Sequence, residues 1–406
     1  MPVGFRTGRY DDPCRPNWDG NGPRPLSWCA WYPTSAQVGE RDFHFGPGQP
    51  WFDIGPVVHD APIVSDTPCP VVLLSHGTGG QALHLGWLAR RLAQHGFIAV
   101  GIDHHGNTLT ERYRAEGFLC WWERTRDLSV LLDQLQVGTF GAHIDPNRIY
   151  VAGYSLGGCA AAALMGAITE TSRFQRTANS RDYARGVPEF PDLADYLPNL
   201  LENSTIFRES WARMSIDYRD PRFKSALMLA PGRGLLGFNE ASLSRNTATT
   251  QIIVGDIDPT RAASQWLHER LSENKLDVLQ PDVGHYVFLP KATEAGRETN
   301  PTACVDAHHV DREAIHEHIV ASAIKMFAHP HRETATLSDE NSGSSNPLLA
   351  YSQGHLSRNE AIRMLGLRDY TELLIALGDQ NLPMPSPPPH EAENQAAAFA
   401  KLWRQS

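Results

Sequence analysis

With 406 residues, 41% of them hydrophobic, the chain is long enough for one large α/β domain with a small appendage, or for two domains. A net charge of −10 argues against nucleic acid or an anionic membrane as the main partner, and no stretch is long and apolar enough to span a bilayer. The N-terminus carries no apolar signal core, and the six cysteines form no C-x-x-C pair, so a cytoplasmic enzyme with reduced thiols is expected.

Residues 1 to about 60 are rich in Gly, Pro, Asp and Trp and show little periodicity. Ser27–Pro33 reads as a strand, and the rest as hairpins and loops wrapping one edge of a sheet. Strand and helix patterns then alternate. Pro70–Ser75 is a continuous apolar run, as in a parallel strand buried on both faces. The glycine-rich turn His76–Gly80 leads into a helix near 82–95, followed by a strand at Phe97–Asp103. Glu123–Gln136 is a helix with Leu128, Leu131, Leu132 and Leu135 on one face. Ile149–Ala152 is another buried strand, and Gly153-Tyr154-Ser155-Leu156-Gly157 turns it into a helix of small residues. Residues 168 to about 222 break the rhythm with charges and aromatics; a helical cap over the active-site mouth is preferred over an edge decoration. Alternation resumes with strands at Ser225–Ala230, Gln251–Gly255 and Lys275–Gln280 and helices at Thr260–Ser272 and Asp311–Ala328. The pattern predicts a mostly parallel sheet covered by helices on both faces. This domain spans 1–330, a polar linker 331–354, and a small helical unit 355–406, with helices from Ser357 to Gly366, over Tyr370–Leu377 and over Glu391–Trp403.

A G-x-S-x-G turn between strand and helix is the nucleophile-elbow pattern. The turn leaves no room for side chains at Gly153 and Gly157, and it holds Ser155 in a strained conformation. A serine nucleophile needs a base and a group that orients it, in the chain order Ser, Asp or Glu, His. Gly255-Asp256-Ile257-Asp258 follows a late strand; Asp258 is preferred as the acid, with Asp256 as the fallback. His285 lies on the loop after the last strand and is the candidate base. The oxyanion would rest on the backbone N–H groups of Leu156 and Thr78. His76 is expected to pack its turn, and His104-His105 either lines the pocket or stabilises a turn. The histidines 308, 309, 316, 318, 329 and 331 lack a metal-ligand pattern and read as a solvated helix face. Cys159 reads as a core residue, and Trp121-Trp122 as packing a helix N-terminus on the sheet.

These residues resemble the α/β-hydrolase superfamily. Over about residues 27–330 the chain is similar to the predicted dienelactone-hydrolase group related to platelet-activating-factor acetylhydrolases. Matching motifs include Trp31-Tyr-Pro33, Ser75-His-Gly77, Trp122-Glu-Arg124 with Asp127, Asp145-Pro-Asn-Arg148 and Asp220-Pro-Arg222. The resemblance implies an α/β-hydrolase fold and a small-molecule ester substrate, no cofactor or metal, and a triad of Ser155, Asp258 and His285. Dienelactone hydrolases proper use a cysteine nucleophile, so Ser155 points toward simple ester hydrolysis. The C-terminal unit is weakly similar to antitoxin-like helix-turn-helix domains. Its five Lys/Arg against six Asp/Glu favour a docking or oligomerisation module over DNA binding. A regulatory binding protein on a hydrolase fold, acting through that unit, is the alternative to an enzyme.

Overall fold

The computed structural model describes residues 1–36, 38–138, 140–170, 187–232, 237–246, 248–328 and 347–352, with 361–362, 364–367, 372–373 and 376–377 beyond them. The chain divides into two compact units, Met1–His331 and Arg332–Ser406.

The first unit is built on an eleven-stranded sheet: β1 (Val3–Pro16), β2 (Pro23–Pro33), β3 (Glu40–Phe45), β4 (Phe52–His59), β5 (Cys69–Ser75), β6 (Ile98–Asp103), β7 (Ile144–Tyr154), β8 (Phe223–Leu229), β9 (Thr249–Gly255), β10 (Asn274–Leu279) and β11 (Lys291–Ala292). The order across the sheet is β10-β9-β8-β7-β5-β6-β2-β1-β4-β11, with β3 on β4. From β10 to β6 every pairing is parallel. The N-terminal hairpin then joins antiparallel, β2 on β6 and β1 on β2. The hairpins expected over the first sixty residues are therefore present, and they continue the sheet itself instead of wrapping its edge. Alternating small and charged residues in β1 hide the strand, because its outer positions face solvent.

Helices α1 (Gly86–Gln94), α2 (Ala115–Leu119), α3 (Glu123–Val137), α4 (Leu156–Leu164), α5 (Leu193–Asn203), α6 (Thr205–Ala212), α7 (Glu240–Ser244), α8 (Arg261–His268), α9 (Glu294–Thr299), α10 (Pro301–Cys304) and α11 (Arg312–Ala328) follow in chain order. The period of two along β5 explains the layering. Val71 and Leu73 enter a core with Leu131 and Leu135 of α3 and the small residues of α4. Val72 and Leu74 enter the opposite core with Leu88 of α1 and Ile319 and Phe327 of α11. A central strand apolar from Val71 to Leu74 thus serves two cores at once.

The insertion places α5 and α6 against the first core through Phe207, which is fully buried and packs on Trp211. Trp122 Nε1 donates to the Ser210 carbonyl at 3.0 Å, and Ser210 Oγ donates to Glu123 at 2.7 Å, which ties α6 to the start of α3. The rest of the segment, 171–186, lies outside the described residues.

In the second unit, α12 (Pro347–Ser352) is helical where the polar composition of 331–354 predicts a linker. Its Leu348 and Tyr351 cluster with Ala361, Leu373 and Leu377. Most of the helices expected over 355–406, His329 and His331 lie outside the described residues. Among the described residues, no helix is long and apolar enough to cross a membrane.

Candidate active site

Strand β7 is buried along its last six residues and ends in a turn with no room for side chains. A Cβ on Gly153 would meet the Gly158 nitrogen at 2.7 Å, and one on Gly157 would meet the His76 oxygen at 2.8 Å. Ser155, between them, sits at φ 54°, a conformation rarely held by residues other than glycine. The Ser155 N–H donates to Leu229 O at 2.8 Å, and its carbonyl accepts from Gly158 and Gly232, so backbone bonds hold the strained residue.

Three groups from three loops meet here. His285 Nε2 lies 3.1 Å from Ser155 Oγ, and His285 Nδ1 lies 2.8 Å from Asp258 Oδ2. The second Asp258 oxygen accepts the Thr260 N–H at 2.7 Å, and the carboxylate is fully buried. Tyr154 Oη donates to the His285 carbonyl at 3.1 Å and fixes the backbone of that residue. Asp256 points elsewhere: it accepts the N–H groups of Asp282 and Val283 at 3.1 and 2.8 Å, and although desolvation opposes it, the backbone N–H bonds together lower its pKa. The side chain two residues before Asp258 therefore shapes the loop that carries His285, without touching the imidazole.

The loop after β5 adjoins Ser155, since a Cβ on Gly77 would lie 3.3 Å from Ser155 Cβ. Thr78 lines the cavity beside Ser155 and Leu156. Leu156 opens α4, where first-turn N–H groups have no partner within the helix. His76 is buried, with Nδ1 on Gly77 O at 2.7 Å and Nε2 taking the His104 N–H at 3.3 Å. Desolvation, then Arg124, pushes its pKa well below the ordinary value, so it stays a neutral packing group at this turn.

A second serine–histidine–aspartate line runs behind the first. Ser75 Oγ is 2.8 Å from His104 Nε2, and His104 Nδ1 is 3.1 Å from Asp127 Oδ2. Access separates the two. Ser75 and Asp127 are wholly buried and His104 nearly so, and none of them lines the cavity. Asp127 also takes Arg24 at 2.8 and 3.0 Å and Arg15 at 2.7 Å, which holds its pKa well below the usual range despite burial. His104 is thus part of a buried scaffold, and the Asp127 in the motif after Trp122 is its hub.

Ser155 and His285 open into a cavity of about 1680 Å³. Its wall carries several aromatic rings, with Trp51 and Phe52 from the N-terminal sheet, Tyr113 and Trp121 from the region before α3, and Trp266 from α8. Val187, Pro188, Glu189 and Leu193 of the insertion close one side. Among the described residues that line the cavity, Glu189 is the one Asp, Glu, Lys or Arg, and its pKa is raised by desolvation. Sequence reasoning did not find it, because its place in the wall arises only when the insertion folds back.

The scattered histidines divide by environment. His309 pairs with Asp282 at 3.2 Å and His318 with Asp277 at 2.7 Å near the surface. His316 is a correction to the solvated-face expectation: it is buried and stacked on Trp87 at 3.6 Å, and desolvation pulls its pKa down to about 3. Among the described residues no group of His, Cys, Asp and Glu has the makings of a metal site.

A parallel sheet with an antiparallel extension, helices on both faces and a strand–serine–helix elbow define the α/β-hydrolase fold. A family model described as serine aminopeptidase, S33, matches residues 66–178, which contain the elbow. Among solved structures, the chain is similar to a ferulic acid esterase from Streptomyces cinnamoneus. The two share 16% identity and a TM-score of 0.53, over 84% of this chain and 94% of that one. That likeness shows the fold. No curated protein matches the chain.

Proposed function

We propose that this chain is a serine hydrolase of carboxylic esters, with Ser155 as nucleophile, His285 as general base and Asp258 as the orienting carboxylate. The observation that carries the reading is the unbroken line Asp258–His285–Ser155 ending in a cavity walled in part by aromatic rings. As Ser155 Oγ attacks the ester carbonyl, His285 takes its proton and Asp258 stabilises the imidazolium. The N–H groups of Thr78 and Leu156 receive the developing oxyanion. His285 then protonates the leaving alkoxide, and the alcohol departs. Water gives a proton to His285 and attacks the acyl carbonyl; the proton passes to Ser155 as the acid leaves.

The likeness to a ferulic acid esterase and the resemblance to the dienelactone-hydrolase group related to platelet-activating-factor acetylhydrolases support an ester as substrate. The aromatic wall fits an apolar acyl or alcohol portion. In this reading residues 1–330 form the hydrolase domain, acting in the cytoplasm, and residues 355–406 form a docking or oligomerisation module.

The test is labelling by a fluorophosphonate probe together with turnover of short-chain nitrophenyl esters and aminoacyl nitroanilides. Wild type should label and cleave the esters, and Ser155→Ala should do neither. Equal turnover by Ser155→Ala would sink the reading, and faster nitroanilide cleavage would replace it with a peptidase.

A further inference from the structure

We propose that Arg124 is a positioning residue for the oxyanion hole, holding and polarising the Gly77–Thr78 peptide so that the Thr78 N–H faces Ser155. The inference rests on the reading of Thr78 as an oxyanion donor. Arg124 lies in the first turn of α3, is 1% exposed, and is not itself among the residues lining the cavity. Its Nη1 donates to His76 O at 2.5 Å, and its Nη2 donates to Gly77 O at 3.3 Å and to Asn107 O at 3.4 Å.

Gly77 O and Thr78 N–H belong to one peptide unit and point in opposite directions from a trans bond. Three donors converge on that oxygen: Arg124 Nη2, His76 Nδ1 at 2.7 Å and Gly80 N at 3.2 Å. They draw the carbonyl into the protein, which turns the N–H of Thr78 outward. Each donor on the oxygen also polarises the amide and makes its N–H a stronger donor. The geometry thus runs from guanidinium through one peptide to the place where negative charge develops.

The charge has a use here that a neutral donor would lack. All three partners of Arg124 are backbone carbonyls, and its buried Nε has no hydrogen-bond partner among the described residues. Burial pulls its pKa down to about 9, still above neutrality, so the cation persists. A buried cation without a bonded carboxylate is an expensive way to satisfy carbonyls. Set behind the oxyanion peptide, it adds a fixed positive field that needs no reorganisation as the tetrahedral intermediate forms.

The experiment compares Arg124→Gln and Arg124→Lys in the full chain. Ser155 is titrated with a fluorophosphonate so that rates are expressed per competent site. For a nitrophenyl ester, Arg124→Gln should lose about 10²-fold in kcat per labelled site, comparable to removing one oxyanion donor, with KM nearly unchanged. Affinity for a trifluoromethyl ketone, which forms the tetrahedral adduct, should fall by the same factor. Arg124→Lys, which keeps the charge and part of the bonding, should recover some of both and covers the case in which the glutamine variant does not fold. A role in packing alone would lower stability and the labelled fraction while leaving kcat per labelled site and ketone affinity at wild-type values; that result would overturn the proposal. Wild type that neither labels nor turns over ester would instead remove the esterase reading beneath it.

Discussion

Two glycines beside the reacting groups should respond in opposite ways to a single added methyl. A Cβ on Gly157 would lie 2.5 Å from the Ser75 carbonyl carbon and 2.8 Å from the His76 oxygen, and closer still to the Ser75 oxygen. Ordinary carbon contacts begin at about 3.5 Å, so relief requires β5 and α4 to part by at least about 1 Å. Both neighbours are backbone, and β5 is clamped between β6 and β7, so no side chain can rotate away. Overpacking of this kind costs about 3 kcal/mol, at the upper end of the usual range. For a large unit that corresponds to a Tm lower by about 6 °C. A shift of about 1 Å between Ser75–Gly77 and Ser155 should also slow fluorophosphonate labelling by about 10²-fold. Gly284, which precedes His285, has no atom within 4 Å of its Cβ position and an ordinary φ of −96°. Gly284→Ala should be neutral or gain about 0.4–1 kcal/mol by restricting the unfolded chain. Calorimetry and labelling kinetics on the two variants check this. A Gly157→Ala variant with wild-type Tm and labelling rate, or equal damage from Gly284→Ala, would refute the steric reasoning.

Asp258→Asn should cut kcat by about 10⁴-fold through the wrong imidazole tautomer while the protein stays folded. Asp256→Asn should keep kcat but melt earlier at neutral pH. The Asp256 pKa is lowered on folding, so its contribution is present above the unfolded carboxylate pKa and fades as pH falls; the Tm gap should therefore close in acid. Asp127→Asn strips two buried guanidiniums of their shared partner and should cost about 3–5 kcal/mol, read by urea unfolding. His316, lowered from 6.5 to about 3, binds its proton in the unfolded chain first, so stability should fall as pH drops through that window. His316→Phe should flatten the slope of unfolding free energy against pH there by up to one proton, and an unchanged slope would contradict the neutral stacked imidazole.

The parts of the fold legible in the sequence are those whose environment imposes a simple pattern. Strands β5 to β9 each contain an apolar run where both faces are covered, and the turn at Ser155 shows itself because only glycine fits at 153 and 157. Asp258 and His285 could be named because they follow β9 and β10 in the expected chain order. The remainder depends on distant partners. Strand β1 has one solvated face and no continuous apolar run, and His316 looks like any helix-surface histidine until Trp87, far away in the chain, stacks on it. Arg124 and Asp127 stand in a recognisable motif, yet nothing local says that one faces backbone carbonyls and the other two arginines.

The antiparallel extension formed by the first sixty residues reaches the far end of the chain. Just past His285, β11 pairs with β4 through Lys291–Asp53 and Ala292–Phe52. The Thr293 N–H and hydroxyl then bond the carbonyls of Trp51 and Pro50. Trp51 and Phe52 also face the cavity. The N-terminal strands therefore act as a mooring for the loop that carries the imidazole and as one wall of the chamber it serves. A polypeptide trimmed to begin at β5 would retain the serine and its strained turn, yet the histidine would hang from an untied rope.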